Sequence, residues 1–92
     1  MSEVASQQVV ITHALGLHLR AAGALVNVAS GFDADITISK GTLVANAKSI
    51  MSVLALAATP GTPLDIQAQG NDAASAVRAM VALIECGFDQ GR

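Results

Sequence analysis

Two histidines, His13 and His18, and an arginine two places after the second, Arg20, are the residues of this 92-residue chain best suited to group transfer. Imidazole titrates near neutrality, so its neutral form is an available nucleophile and afterwards a good leaving group. His18 follows Leu15-Gly16-Leu17, where a strand-like pattern gives way to a helical one. A helix start presents unpaired N–H groups and the positive end of the helix dipole, and both attract anions. Arg20 can add charge-assisted hydrogen bonds to the same oxygens. The combination suits brief retention of a phosphoryl group. From spacing alone, a histidine that merely caps the helix remains the more ordinary reading. His13 is read as a partly exposed residue inside the first strand, with no chemical role.

No competing catalytic set stands out. There is no Walker-type Gly-rich loop, no Cys/His cluster and no Ser/His/Asp set with persuasive spacing. Neither a metal nor a cofactor is expected. The single Cys86 is read as apolar filler, since free cysteine packs like a small hydrophobe. No water-activating residue neighbours His18, which suits a carrier that keeps its phosphate better than an enzyme that hydrolyses it.

The elements that must position His18 follow from periodicity. Val9 and Ile11 alternate with Val10 and Thr12 as a first strand, broken at Gly16. Residues 19–30 form a helix with Ala22, Leu25, Val26 and Ala29 on one stripe, closed by Gly31 as a left-handed cap. Ala34, Ile36 and Ile38 alternate with polar neighbours as a second strand. Lys40-Gly41 turns the chain, and residues 42–47 return as a third. Ser49 caps a short helix that runs to Leu54 or Leu56 and is stopped by Thr59-Pro60-Gly61-Thr62-Pro63. Leu64, Ile66 and Ala68 mark the fourth strand. Ala73, Val77, Met80, Val81 and Ile84 form the stripe of a last helix, capped by Asn71 or Asp72 and closed by Gly87. The order is β-α-β-β-α-β-α. Alternating strands imply one wet and one covered face. The fold class is therefore α+β, an open-faced β-sandwich of a four-stranded antiparallel sheet with three helices on one face.

Composition agrees. One domain over residues 1–92, with its core at about 8–88, is what this length supports. Hydrophobic residues make up 52% but aromatics only 2%, so small side chains can seat helices close to a sheet. Five basic residues spread over a chain of net charge −2 offer no footprint for nucleic acid. The longest apolar stretch, residues 50–58, is too short to span a membrane, and the start MSEVASQQ is unlike a signal peptide, so a cytosolic location is expected.

Gly16-Leu17-His18-Leu19-Arg20-Ala21-Ala22 resembles the active-site motif of the HPr family, the phosphocarriers of the phosphoenolpyruvate-dependent sugar phosphotransferase system. Lys48-Ser49-Ile50-Met51 followed by Val53-Leu54 resembles the family's regulatory serine segment, and Gly61-Thr62 and Gly70-Asn71-Asp72-Ala73 also fit. The likeness runs from about Val9 to Phe88 and covers both motifs at their proper separation. It implies that His18 is phosphorylated at Nδ1 by phosphorylated enzyme I and that Arg20 steadies the phosphoryl group. It also implies that the group passes on to enzyme IIA domains, that Ser49 is the target of HPr kinase/phosphorylase, and that transcriptional regulators are further partners. Leu19, Ile50, Met51 and Leu54 would form the docking patch, although helical spacing alone makes Leu54 a core residue. A monomer is expected.

Two features depart from the pattern. Ala21 stands where the family usually has proline, and Asn27 and Ser30 stand where relatives often carry basic residues. Alanine after the arginine resembles the nitrogen-related branch, whereas the Ser49 segment resembles kinase-regulated members. Two rival classes are a purely regulatory module that binds according to phosphorylation state, against which the His18-x-Arg20 pair argues, and a small phosphatase of similar architecture, against which the lack of a water-activating residue argues.

Overall fold

The computed structural model describes residues 3–88. Along the chain run β1 (Glu3–Val10), α1 (Leu19–Ala29), β2 (Asp35–Lys40), β3 (Leu43–Asn46), α2 (Ile50–Ala55), β4 (Pro63–Gly70) and α3 (Ala73–Glu85). The four strands form one sheet in the order β1-β4-β2-β3, antiparallel throughout. In β4 burial alternates strictly, with Leu64, Ile66 and Ala68 inside and Asp65, Gln67 and Gln69 in water. Ile36 and Ile38 continue the covered face across β2, opposite Ala68 and Ile66. The open-faced α+β sandwich expected from the alternation is the observed fold.

The helices cover that face with small side chains. Ala21, Ala22, Leu25 and Ala29 of α1 are buried, as are Ala73, Ala76, Val77, Met80, Val81, Leu83 and Ile84 of α3. Both stripes recur at three- and four-residue intervals, as helical burial requires. Val53 of α2 completes the layer. No helix of the described residues is long and apolar enough to cross a membrane.

Several local expectations need correction. β1 begins at Glu3 and ends at Val10, so His13 lies beyond the strand rather than within it. Its Ser6-Gln7-Gln8 stretch carries no apolar alternation; the ladder with β4, from Glu3↔Gly70 to Val10↔Pro63, makes it a strand. Gly31 is not left-handed. Instead α1 ends through Ser30 in a right-handed cap, and the Gly31 and Phe32 amides donate to the Val28 and Ala29 carbonyls, both at 3.1 Å. Cys86 is exposed at the C-cap of α3, not packed as filler, and its thiol donates to the Leu83 carbonyl at 3.2 Å.

Asp72 precedes α3 but makes no side-chain cap there. Its carboxylate accepts the Asp33 and Ala34 amides, each at 2.9 Å, and so ties the α1–β2 connection to the head of α3. The Asp33 amide, with help from Ala34 and the Lys48 charge, holds the Asp72 carboxyl below its ordinary range, and desolvation opposes them only in part. Lys48 in turn donates to the Phe32 carbonyl at 2.8 Å. Close beside this tie, Gly70 approaches Ala34 so nearly that a Cβ would lie 2.7 Å from the Ala34 Cα.

Candidate functional site

The loop between β1 and α1 is braced from outside itself. Ile11 and the turn after α2 exchange two backbone bonds: the Ile11 amide donates to Thr62 (3.1 Å) and the Gly61 amide to Ile11 (2.8 Å). Leu17 then donates to the Ala58 carbonyl at 2.9 Å. Between these anchors Gly16 adopts φ +65°, and a Cβ there would lie 2.6 Å from the Ala58 oxygen. Glycine is therefore required on two counts, the left-handed backbone and the close approach.

This bracing sets His18 as the N-cap of α1, with extended backbone at φ −84° and ψ 178°. Its Nδ1 accepts the Ala21 amide at 3.3 Å, and its carbonyl accepts the Ala22 amide at 2.9 Å. An Nδ1 that accepts carries no proton, so the neutral ring bears its hydrogen on Nε2. That Nε2 is enclosed and has no hydrogen-bond partner among the described residues. The ring as a whole is half-buried, with Nδ1 turned to the opening turn of the helix. The cap expected of His18 is therefore observed, and it directs the Nδ1 lone pair to the first turn of α1.

Arg20 is exposed one turn-step along and lines the same open depression of about 610 Å³ as His13, Leu15, His18, Leu19 and Phe88. Leu15 and Leu19 are 72% and 66% exposed, an apolar rim that the interior does not claim. On α2, Ile50 and Met51 also face solvent, whereas Leu54 is half-buried and packs on the core. Ser49 is the N-cap of α2 and accepts the Ser52 amide at a long 3.4 Å. α1 and α2 pack on one another, so the two caps belong to one side of the molecule.

Two rings to which the sequence pattern gives no role, His13 and Phe88, stand beside His18. His13 and His18 have ring centroids 4.9 Å apart, and Phe88 stands 6.0 Å from the first and 6.4 Å from the second. The His13 Nδ1 accepts the Leu15 amide at 3.1 Å, which fixes its ring over the loop. Phe88 arrives by the turn that ends α3: Gly87, at φ +73°, donates to Ile84 and Phe88 donates to Leu83. Spacing offered a faint hint for His13, five residues before His18, and none for Phe88. Among the described residues no group of three or more His, Cys, Asp or Glu side chains is placed to hold a metal ion.

Comparison with known proteins establishes the family and the fold. The model of the family described as the PTS HPr component phosphorylation site matches residues 5–86. The chain is 42% identical over 84 residues to the phosphocarrier protein NPr of Shewanella violacea, covering 91% of this chain and 92% of that one. It is 43% identical over 83 residues to the phosphocarrier protein HPr of Mycoplasma capricolum, covering 89% and 93%. Among solved structures, HPr of Thermoanaerobacter tengcongensis superposes with a TM-score of 0.89 at 34% identity, over 96% of this chain and 99% of that one. The fold is thus shared with proteins named as phosphocarriers. The chain belongs to the HPr family of phosphocarrier proteins of the phosphotransferase system.

Proposed function

We propose that His18 is the phosphoryl-accepting residue of a phosphoenolpyruvate-dependent relay, taking the group from phosphorylated enzyme I and passing it to an enzyme IIA domain. The observation that carries this reading is the His18 Nδ1, which sits 3.3 Å from the Ala21 amide at the start of α1. The Nδ1 lone pair attacks phosphorus while the bond from phosphorus to the donor breaks. The Ala21 amide, released from Nδ1, then has a phosphoryl oxygen to donate to, beside the other opening amides and the helix dipole. Arg20, already lining the depression, adds charge-assisted bonds that steady the dianion without hydrolysing it. Return of the electrons to Nδ1 on transfer restores the neutral ring and its cap.

Leu19, Ile50 and Met51 serve as the apolar landing surface for both partners, with Leu15 enlarging it and Leu54 supporting it from beneath. A flexible methionine suits a surface that must receive more than one protein. Phosphorylation of Ser49 by an HPr kinase/phosphorylase plants about two negative charges in that surface while the α2 N-terminus still favours them. It slows acceptance at His18 without unfolding the domain and gives regulators a second state to recognise. The protein acts in the cytoplasm as a monomer.

The test is incubation with enzyme I, Mg²⁺ and labelled phosphoenolpyruvate. Acid-labile, alkali-stable label on His18, lost in His18→Ala, is the expected result. Stable label on serine alone would point to a regulatory module, and free phosphate to an enzyme. The relative named NPr and the Ala21 departure favour a second reading, service in the nitrogen branch. Faster transfer to a nitrogen-branch IIA domain than to a sugar-branch one would select it.

A further inference from the structure

Nε2 of His18 is a buried polar atom with no hydrogen-bond partner among the described residues, a rarity that calls for a reason. The rings beside the His18 imidazole are His13, with centroids 4.9 Å apart and planes at 53°, and Phe88, edge-on at 6.4 Å. Both neighbours are held independently of His18. The His13 ring is pinned by the Leu15 amide on its Nδ1, and the Phe88 backbone by the hydrogen bond its N–H donates to the Leu83 carbonyl at 2.8 Å. His18 therefore lies against a prebuilt aromatic wall, one nitrogen shut in and the other turned to the α1 amides. Phe88 itself adopts φ +67°, a conformation unusual for a residue with a side chain, and this places its ring at the site.

We propose that this wall of His13 and Phe88 selects the reactive nitrogen, closing Nε2 of His18 to phosphorus so that the phosphoryl group is accepted at Nδ1 alone. His13 and Phe88 are positioning residues here; neither touches the transferred group. Both nitrogens of an unhindered imidazole are nucleophilic when unprotonated, and the ring proton can exchange between them. A carrier that loaded its phosphate on Nε2 would present it away from the helix amides and Arg20. The inference rests on His18 being the acceptor.

Phosphoramidate separates the two ideas, because it phosphorylates imidazole without any partner protein. A ring nitrogen attacks phosphorus, the bond to nitrogen of the reagent breaks, ammonia leaves, and the surplus ring proton goes to water. The chain has only two histidines, so His13→Phe and His13→Asn each leave His18 as the sole acceptor imidazole. His13→Phe keeps a ring in the wall. His13→Asn keeps an acceptor for the Leu15 amide but removes the ring. The two phosphohistidine isomers are resolved by ³¹P and ¹H–¹⁵N NMR, with urea midpoints to confirm folding. The His13→Phe protein should yield the Nδ1 isomer, and His13→Asn should raise the Nε2:Nδ1 ratio by about tenfold, a barrier change of about 1.4 kcal/mol. Phe88→Ala should move the ratio the same way, so one folded variant suffices. Equal isomer ratios in His13→Phe and His13→Asn, with Phe88→Ala unchanged, would overturn the wall. Absence of phosphohistidine from folded His13→Phe would overturn His18 as the acceptor.

Discussion

Gly16→Ala isolates the bracing of the phosphoryl loop from the chemistry at its end. At φ +65° an alanine pays about 1–2 kcal/mol for the left-handed backbone alone. Its Cβ would also lie 2.6 Å from the Ala58 oxygen and 3.1 Å from the Thr59 Cα, both main-chain atoms that no rotamer change can move. The Ala58 carbonyl must shift, and with it goes the 2.9 Å bond from the Leu17 amide, worth about 1 kcal/mol. Together these come to about 2–3 kcal/mol, a fall in Tm of about 10–20 °C for a domain of this size. Gly23→Ala is the internal control. It lies within α1 with nothing inside 4 Å of the added Cβ, so it should gain about 0.5–1 kcal/mol. Urea unfolding followed by far-UV circular dichroism measures both. A loss below about 1 kcal/mol at Gly16, or an equal loss at Gly23, would refute the reasoning, since backbone freedom and proximity would then not govern the loop.

Further predictions concern the caps, the strain and the ties. Asp72→Asn should show a pH signature: the carboxylate's stabilisation is complete above about pH 4, its unfolded range, and is lost as pH falls through the lower folded value. The gap in urea midpoint between the natural protein and Asp72→Asn should therefore narrow on acidification, and a constant gap would count against the tie to Asp33 and Ala34. Ala57 sits at φ +51° after α2, so Ala57→Gly should stabilise by about 0.5–1 kcal/mol in the same titration. Ser49→Ala should cost only about 0.5 kcal/mol, because the 3.4 Å cap is long, whereas Ser49→Asp should slow labelling of His18 by enzyme I at unchanged stability. Arg20→Ala should slow the same labelling with the fold intact; an equal rate would remove Arg20 from the site.

Much of this arrangement is legible in the residues, and the failures have physical causes. β2 and β4 announce themselves because the covered and wet faces of a sheet force alternation, and α3 because its stripe is continuous. β1 is understated because it is an edge strand: Gln7 stands opposite the buried Ile66 yet is itself exposed, so alternation fades and only the partner ladder defines the strand. The cap position of His18 is legible because a cap depends on near neighbours. The place of Phe88 is not, because its seat beside His18 depends on how α3 docks, a relation no local pattern encodes. Asp72 misleads for a similar reason. A carboxylate at a helix start is ordinarily a cap, but here two amides nearly forty residues upstream outbid the helix's own.

The pairing of β1 with β4 has a consequence for how the protein comes into being. Glu3 meets Gly70 across the whole intervening chain, and such distant pairings are slow to form because loop closure must precede any reward. On the ribosome His18 is made before residues 58–62, which brace its loop, and well before Phe88, which stands beside its ring. A nascent or truncated copy that stops short of residue 88 would thus expose the imidazole without the frame that orients it.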